Sequence, residues 1–141
     1  MKNNLAILFL LLSISVGFAQ NQSEPFKKAN TIIIETGEPE SVAIGHVVRE
    51  LRNQGYTMVE NDGNYIHAVR KHDAVFPIRV IDLALHFTIN GGTISMKGYV
   101  TDQNAAPYLI ANRFSMKQSF KMLQEFANKI AAPNQQYFAI K

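Results

Sequence analysis

Histidine is the side chain best suited to proton transfer near neutral pH, and the sequence contains four: His46, His67, His72 and His86. His46 lies between the apolar stripe and the polar flank of a predicted helix, so a boundary position explains it. His72 precedes Asp73, but adjacent side chains rarely point at each other, and no nucleophile motif lies near this pair. We therefore assign no catalytic residue from the sequence.

Asp82 and His86 share one face of a predicted strand and offer atoms that metals bind. Four residues along a strand span about 13 Å at ~3.3 Å per residue, whereas a histidine nitrogen binds zinc at about 2 Å. The two side chains cannot ligate one ion unless the strand bulges. The sequence also lacks HExxH, P-loop, GxGxxG and GxSxG patterns and contains no cysteine. We expect no metal, no cofactor and no disulfide.

The two predicted hairpins carry more aromatic and flexible side chains than a solvated face needs. On the second hairpin, the face opposite an apolar row carries Asp82, His86, Lys97 and Tyr99. Pairing the first hairpin across its Asp-Gly turn gives one face with Thr57, Val59, Ile66 and Ala68, and another with Tyr56, Met58, Tyr65, His67 and Val69. Either this last set packs beneath the helices, or it forms an exposed patch beside His86.

Exposed aromatic side chains favour recognition, because they supply contact area at a small cost in ordering. The residues that we take as the candidate ligand-binding set are Tyr56, Tyr65, His67, His86, Lys97 and Tyr99. We expect a non-enzymatic domain that binds a protein, a peptide or a small ligand through an open sheet face or an edge strand. Unpaired edge strands also permit a homodimer.

The alternative is an enzyme, a small hydrolase of the bacterial envelope that uses His67 or His86 as its general base. Such an enzyme needs a concave pocket that holds one of these imidazoles within hydrogen-bond reach of a carboxylate or a hydroxyl. A flat surface around both histidines would exclude it. The shape of this surface therefore separates the two interpretations.

The candidate residues depend on hairpin turns that can be located in the sequence. An Asn-Asp-Gly-Asn segment at residues 61–64 predicts a type I′ turn centred on Asp-Gly, because these residues tolerate the positive φ angles that the turn needs. A two-residue Gly-Gly loop at residues 91–92 places Phe87 opposite Met96. This register puts every apolar residue of the second hairpin on one face, and a shift of one residue would mix the faces.

Two helices and the remaining segments complete the predicted domain. Apolar residues recur at helical spacing over residues 44–51 and over residues 116–130, the second run starting at a capping box of Ser115 and Gln118. We also expect a strand at residues 30–36, loops at residues 72–77 and 102–107, and an apolar tail at residues 137–140. The role of the tail stays open, and pairing with another chain is one alternative.

The predicted order, β-α-β-β-β-β-α, indicates an α+β domain with a curved antiparallel sheet and both helices packed on one face. Over about residues 30–131 this order resembles one repeat of the TATA-binding-protein fold, which small exported bacterial domains of unknown function also use. The resemblance implies one open sheet face and transfers no functional residue. DNA binding in that family depends on basic and aromatic groups on a concave sheet of paired repeats, so we do not expect it here.

The first residues carry the signals of export. A short n-region, an apolar stretch and small residues before Gln20 predict a cleavable signal peptide at residues 1–19. We expect a polar lead-in at residues 20–29 and a single domain at residues 30–141, with no later segment that spans a membrane. The chain has 14 Lys and Arg against 11 Asp and Glu, too dispersed for a nucleic-acid binder. We expect a periplasmic or extracellular bacterial protein.

Overall fold

A computed structural model describes residues 24–139, apart from residues 26, 77–78, 103–105 and 132–134. The elements of this part of the chain are β1 (Thr31–Glu35), α1 (Glu40–Asn53), β2 (Thr57–Asp62), β3 (Tyr65–Phe76), β4 (Arg79–Asn90), β5 (Thr93–Asp102), β6 (Tyr108–Leu109), α2 (Lys117–Ala131) and β7 (Gln135–Phe138). Neither described helix is long and apolar enough to cross a membrane. The predicted signal peptide lies outside the described residues.

The described strands form one antiparallel sheet in the order β2-β3-β4-β5-β1-β7, with β6 paired to β5 beside this path. The α+β class with an antiparallel sheet and two helices is confirmed, and the predicted order lacks only β6 and β7. Strand β7 contains Tyr137 and Phe138 of the predicted apolar tail. Tyr137 pairs with Ile32 of β1 and is buried. The tail therefore adds an edge strand to the sheet of its own chain.

Both helices bury their apolar stripes on the same side of the sheet, in a single core. Helix α1 contributes Ala43, Val47 and Leu51, and helix α2 contributes Phe120, Leu123, Phe126, Ala127 and Ile130. They join the alternate residues Leu83, Leu85, Phe87 and Ile89 of β4. The Phe87 ring is fully buried, with its centroid 5.5 Å from that of Phe126. The start of α2 differs from the prediction, since Ser115 lies in a 3-10 turn at Phe114–Met116.

The register predicted for the second hairpin is confirmed. Phe87 pairs with Met96, and His86 pairs with Lys97 on the opposite face. In the loop, Gly91 has a φ of 60°, and positive φ at the first central position alone is typical of a type II′ turn. The apolar and polar faces of this hairpin therefore separate cleanly.

The predicted register of the first hairpin is wrong, for two local reasons. Asp62 pairs with Tyr65, so the turn is centred on Gly63 and Asn64 and not on Asp-Gly. Gly63 has a φ of 57° and takes the first central position of the turn. In addition, β2 has an irregularity between Met58 and Glu60, where a β-bulge shifts the pairing by one residue.

The bulge divides the larger predicted set of the first hairpin between the two faces of the sheet. Met58 pairs with Ala68 and packs against the core. Tyr65, His67 and Val69 lie on the other face of the sheet, which the helices do not cover. Part of the set therefore packs beneath the helices, and part of it lies on the uncovered face beside His86.

The loop predicted at residues 72–77 is also wrong, because β3 continues to Phe76. Its pairing with β4 shifts register between Arg70 and Asp73 and again between Asp73 and Phe76. Strand pairing therefore persists through this segment, with a change of register on either side of Asp73.

The loop between β4 and β5 is held against the connection from β1 to α1. The Thr36 amide and the Thr36 hydroxyl each donate to the Gly92 carbonyl at 2.8 Å, and the Gly91 amide donates to Glu40 Oε2 at 2.8 Å. A Cβ atom on Gly92 would lie 2.8 Å from the Glu38 carbonyl oxygen. Because the neighbouring atoms belong to the backbone of Gly37 and Glu38, any residue larger than glycine at position 92 would require the backbone to move.

We expect Gly92→Ala to lower the free energy of unfolding by roughly 1–3 kcal/mol, the cost of overpacking a close contact. The matched control is Gly45→Ala, since a Cβ atom there would have no neighbour within 4 Å and alanine is favoured over glycine in a helix by about 1 kcal/mol. Urea unfolding of the two variants measures both effects. A Gly92→Ala protein as stable as the wild type would contradict the tight contact.

Candidate functional site

The candidate site occupies the face of the sheet that the helices leave uncovered, here called the open face. Its residues alternate with core residues along three neighbouring strands, so that strand pairing arranges them in rows. His67, His86 and Lys97 form one row across β3, β4 and β5. The next row consists of Val69, Ala84 and Tyr99.

His86 lies at the centre of a cluster of rings, here called the His86 cluster, which also contains Tyr65, His67 and Tyr99. The imidazoles of His86 and His67 are stacked, with centroids 4.2 Å apart and planes 24° apart. The Tyr99 ring approaches His86 edge-on at 4.7 Å. The Tyr65 hydroxyl lies 2.7 Å from His86 Nδ1, within hydrogen-bond distance. The ring of His86 is therefore fixed from three sides.

The surroundings of His86 favour its uncharged imidazole. Burial lowers the pKa of His86, and the neighbouring His67 and Lys97 lower the pKa further, because they disfavour a second positive charge. Burial raises the pKa of the Tyr65 hydroxyl, with further contributions from Glu60 and Tyr99. A neutral imidazole has one nitrogen that donates and one that accepts. In the hydrogen bond between His86 and Tyr65, either the Tyr65 hydroxyl donates to His86 Nδ1, or a protonated Nδ1 donates to the Tyr65 oxygen.

A depression of about 520 Å³ lies beside the His86 cluster, a volume in the range of small-molecule sites. Its lining consists of His67, Val69, Asp82, Ala84, His86, Tyr99, Thr101 and Pro107. Val69 and Ala84 are apolar neighbours in one row of the sheet, whereas Asp82 and Thr101 pair in the next row and are polar. The depression can therefore receive an apolar or flat group and orient it with polar contacts.

The structure brings five of the six predicted site residues together on the open face: Tyr65, His67, His86, Lys97 and Tyr99. Tyr56 lies elsewhere. It is 7% exposed, its ring meets Phe126 edge-on at 6.1 Å, and the Arg70 guanidinium lies 4.8 Å from its centroid. Its place in the candidate set is therefore corrected, since the bulge in β2 and the packing of α2 direct it to the core.

Small residues of the depression escaped the sequence interpretation. The depression is also lined by Ala84, Thr101 and Pro107, whose side chains are not typical of catalytic or ligand-binding residues. For Ala84 and Thr101 a signal did exist, because both share the strand-face alternation of His86 and Tyr99. Pro107 offers no such signal, because it lies in a loop immediately before β6 and takes no part in a strand alternation.

Within the described residues, no group of three or more His, Asp or Glu side chains is arranged to hold a metal ion. Asp82 and His86 lie on the same face of β4 but two rows apart. Their separation along the strand is the one expected from the sequence.

No protein-family model matches the sequence, and no curated protein matches it. Among solved structures, the chain is similar to a DUF4468 family protein from Bacteroides ovatus, with 10% sequence identity and a TM-score of 0.42. The similarity covers 84% of this chain and 94% of that chain. At this level the similarity carries no inference about function. The resemblance to a TATA-binding-protein repeat stays a prediction.

We expect nuclear magnetic resonance titration to give His86 a pKa below the ordinary histidine value of about 6.5, because burial and positive neighbours disfavour its charged form. His67→Gln should raise the pKa of His86, whereas Lys71→Gln, at an exposed position outside the depression, should leave it unchanged. A His86 pKa at or above the ordinary value would contradict the geometry.

The same shift predicts a pH dependence of stability. Between the lowered pKa and about 6.5, the unfolded chain binds more protons at His86 than the folded chain does. The contribution of His86 to the free energy of unfolding is therefore full above this window and is lost as pH falls through it.

Proposed function

We propose that this chain is an exported, non-enzymatic binding domain that holds its ligand on the open face, in the depression beside the His86 cluster. The observation that carries the proposal is the fixed, uncharged His86 ring at the edge of a depression of about 520 Å³. Export rests on the predicted signal peptide at residues 1–19, and it would present this face to the periplasm or to the outside of a bacterial cell.

Prearrangement of the rings supports binding. Ligand affinity is reduced by the entropy lost when flexible side chains become ordered. The His86 ring is stacked on His67, in edge contact with Tyr99 and within hydrogen-bond distance of the Tyr65 hydroxyl. A flat or apolar group that enters the depression therefore meets a surface that is ordered in advance.

The direction of the Tyr65–His86 hydrogen bond decides what the site offers to a ligand. Because the pKa of Tyr65 is raised, the phenol keeps its proton. When this hydroxyl donates to His86 Nδ1, the imidazole carries its own proton on Nε2. His86 then presents a hydrogen-bond donor to a ligand, and the Asp82 carboxylate at the lining is an acceptor.

The second candidate is the hydrolase, and the same contact favours it. A concave surface surrounds His86, and the Tyr65 hydroxyl lies 2.7 Å from its Nδ1. In the opposite tautomer, Nδ1 donates to the Tyr65 oxygen and Nε2 is free to accept a proton as a general base. Binding remains the first proposal, because a neutral phenol donates to an imidazole nitrogen more readily than it accepts from an imidazole N–H.

We expect indole, used as a flat uncharged probe, to bind in the depression and to shift the amide resonances of residues that line it. Tyr99→Ala should weaken this binding by roughly 2- to 10-fold, the equivalent of the 0.5–1.5 kcal/mol typical of aromatic pairs. Tyr108→Ala is the matched control, because Tyr108 is 55% exposed and does not line the depression.

Equal indole affinity in the two tyrosine variants, or no binding at all, would contradict the proposed site. The hydrolase candidate has a separate readout. Turnover of a p-nitrophenyl ester that is lost in His86→Gln and retained in Tyr99→Ala would support the enzyme in place of the binding domain.

A further inference from the structure

A second cavity, of about 630 Å³, lies beside the first turns of α2 and shares no lining residue with the depression on the open face. Its charged and polar lining residues are Lys27, Arg113, Lys117, Lys121, Asn112 and Gln124. This cavity is here called the basic pocket, since four of its lining residues are cationic and none of those described is acidic.

Backbone geometry positions the cations of the basic pocket. Lys117 and Lys121 are four residues apart on α2 and therefore lie on the same side of the helix. Two backbone hydrogen bonds join the segments that contain Lys27 and Arg113. The Lys28 amide donates to the Asn112 carbonyl at 2.9 Å, and the Asn112 amide donates to the Ala29 carbonyl at 2.7 Å.

Little negative charge offsets these cations. Lys121 Nζ lies 3.8 Å from Glu125 Oε1, but the two side chains are 73% and 61% exposed, and such surface pairs contribute little. By contrast, Lys129 on another side of α2 reaches Glu50 at 3.4 Å, where the carboxylate is 14% exposed. Like charges four residues apart destabilise a helix. An anion bound between these cations would offset that repulsion.

We infer that the basic pocket binds a ligand that carries phosphate groups with at least two negative charges. Arginine forms paired hydrogen bonds with phosphate oxygens, and lysine supplies point charges. The side chains of Asn112 and Gln124 add hydrogen-bonding groups at the lining. The first turn of α2 contains no acidic residue that would compete for its positive end. This chemistry belongs both to free phosphate compounds and to the head groups of anionic lipids.

The chain without the predicted signal peptide at residues 1–19 is tested for binding with two probes. Inorganic pyrophosphate, titrated by calorimetry, represents a free phosphate compound, and vesicles of phosphatidylcholine with or without phosphatidylglycerol represent a lipid surface. We expect binding to at least one probe at low salt, with affinity reduced at high salt because exposed charges are screened. The double variant Lys117→Gln/Lys121→Gln should lose about tenfold in affinity, the sum of two exposed charge contacts.

The double variant Arg52→Gln/Lys71→Gln is the matched control, since it removes the same charge from exposed residues that line neither the basic pocket nor the depression. Unchanged amide spectra confirm that each variant is folded. Binding that is lost only in the pocket variant supports the inference, and the responding probe identifies the source of the phosphate. An equal loss in both variants would show a diffuse effect of net charge and would overturn the inference. So would the absence of binding to either probe.

Discussion

The alternation of side chains along β4 is the constraint on which the rest of this structure depends. Leu83, Leu85, Phe87 and Ile89 are buried beneath the helices. Asp82, Ala84, His86 and Thr88 alternate with them and face the other way. The Gly91-Gly92 loop and its hydrogen bonds to Thr36 and Glu40 hold the register of β4 against β5. Because side chains alternate with a period of two, a slip by one residue would exchange the two faces.

Both proposed sites follow from where the helices pack. With α1 and α2 on the Phe87 side, His86 is left on the open face with its neighbours from β3 and β5. The basic pocket forms at the opposite side, where α2 begins beside the segment that precedes β1. The domain thus has two chemically distinct surfaces, one rich in aromatic and imidazole rings and the other cationic, which we propose as separate binding sites.

The sequence predicts what strong local patterns determine. The alternation in β4 and the Gly-Gly loop were sufficient for the fold class, the register of the second hairpin and the face that carries His86. The errors fall where tertiary contacts or irregular pairing decide. No local pattern marks the bulge beside Val59, and the destination of Tyr56 depends on the distant Phe126. The depression joins residues from three strands and Pro107, so no single segment of the sequence contains it.

The most direct test of this account is a nuclear Overhauser spectrum of the aromatic rings. We expect contacts between the ring protons of Phe87 and Phe126, whose centroids are 5.5 Å apart, and between those of His86 and Tyr99, at 4.7 Å. A contact between His86 and Phe126 would place the imidazole beneath α2. That result would contradict the assignment of the two faces and, with it, the proposed binding site.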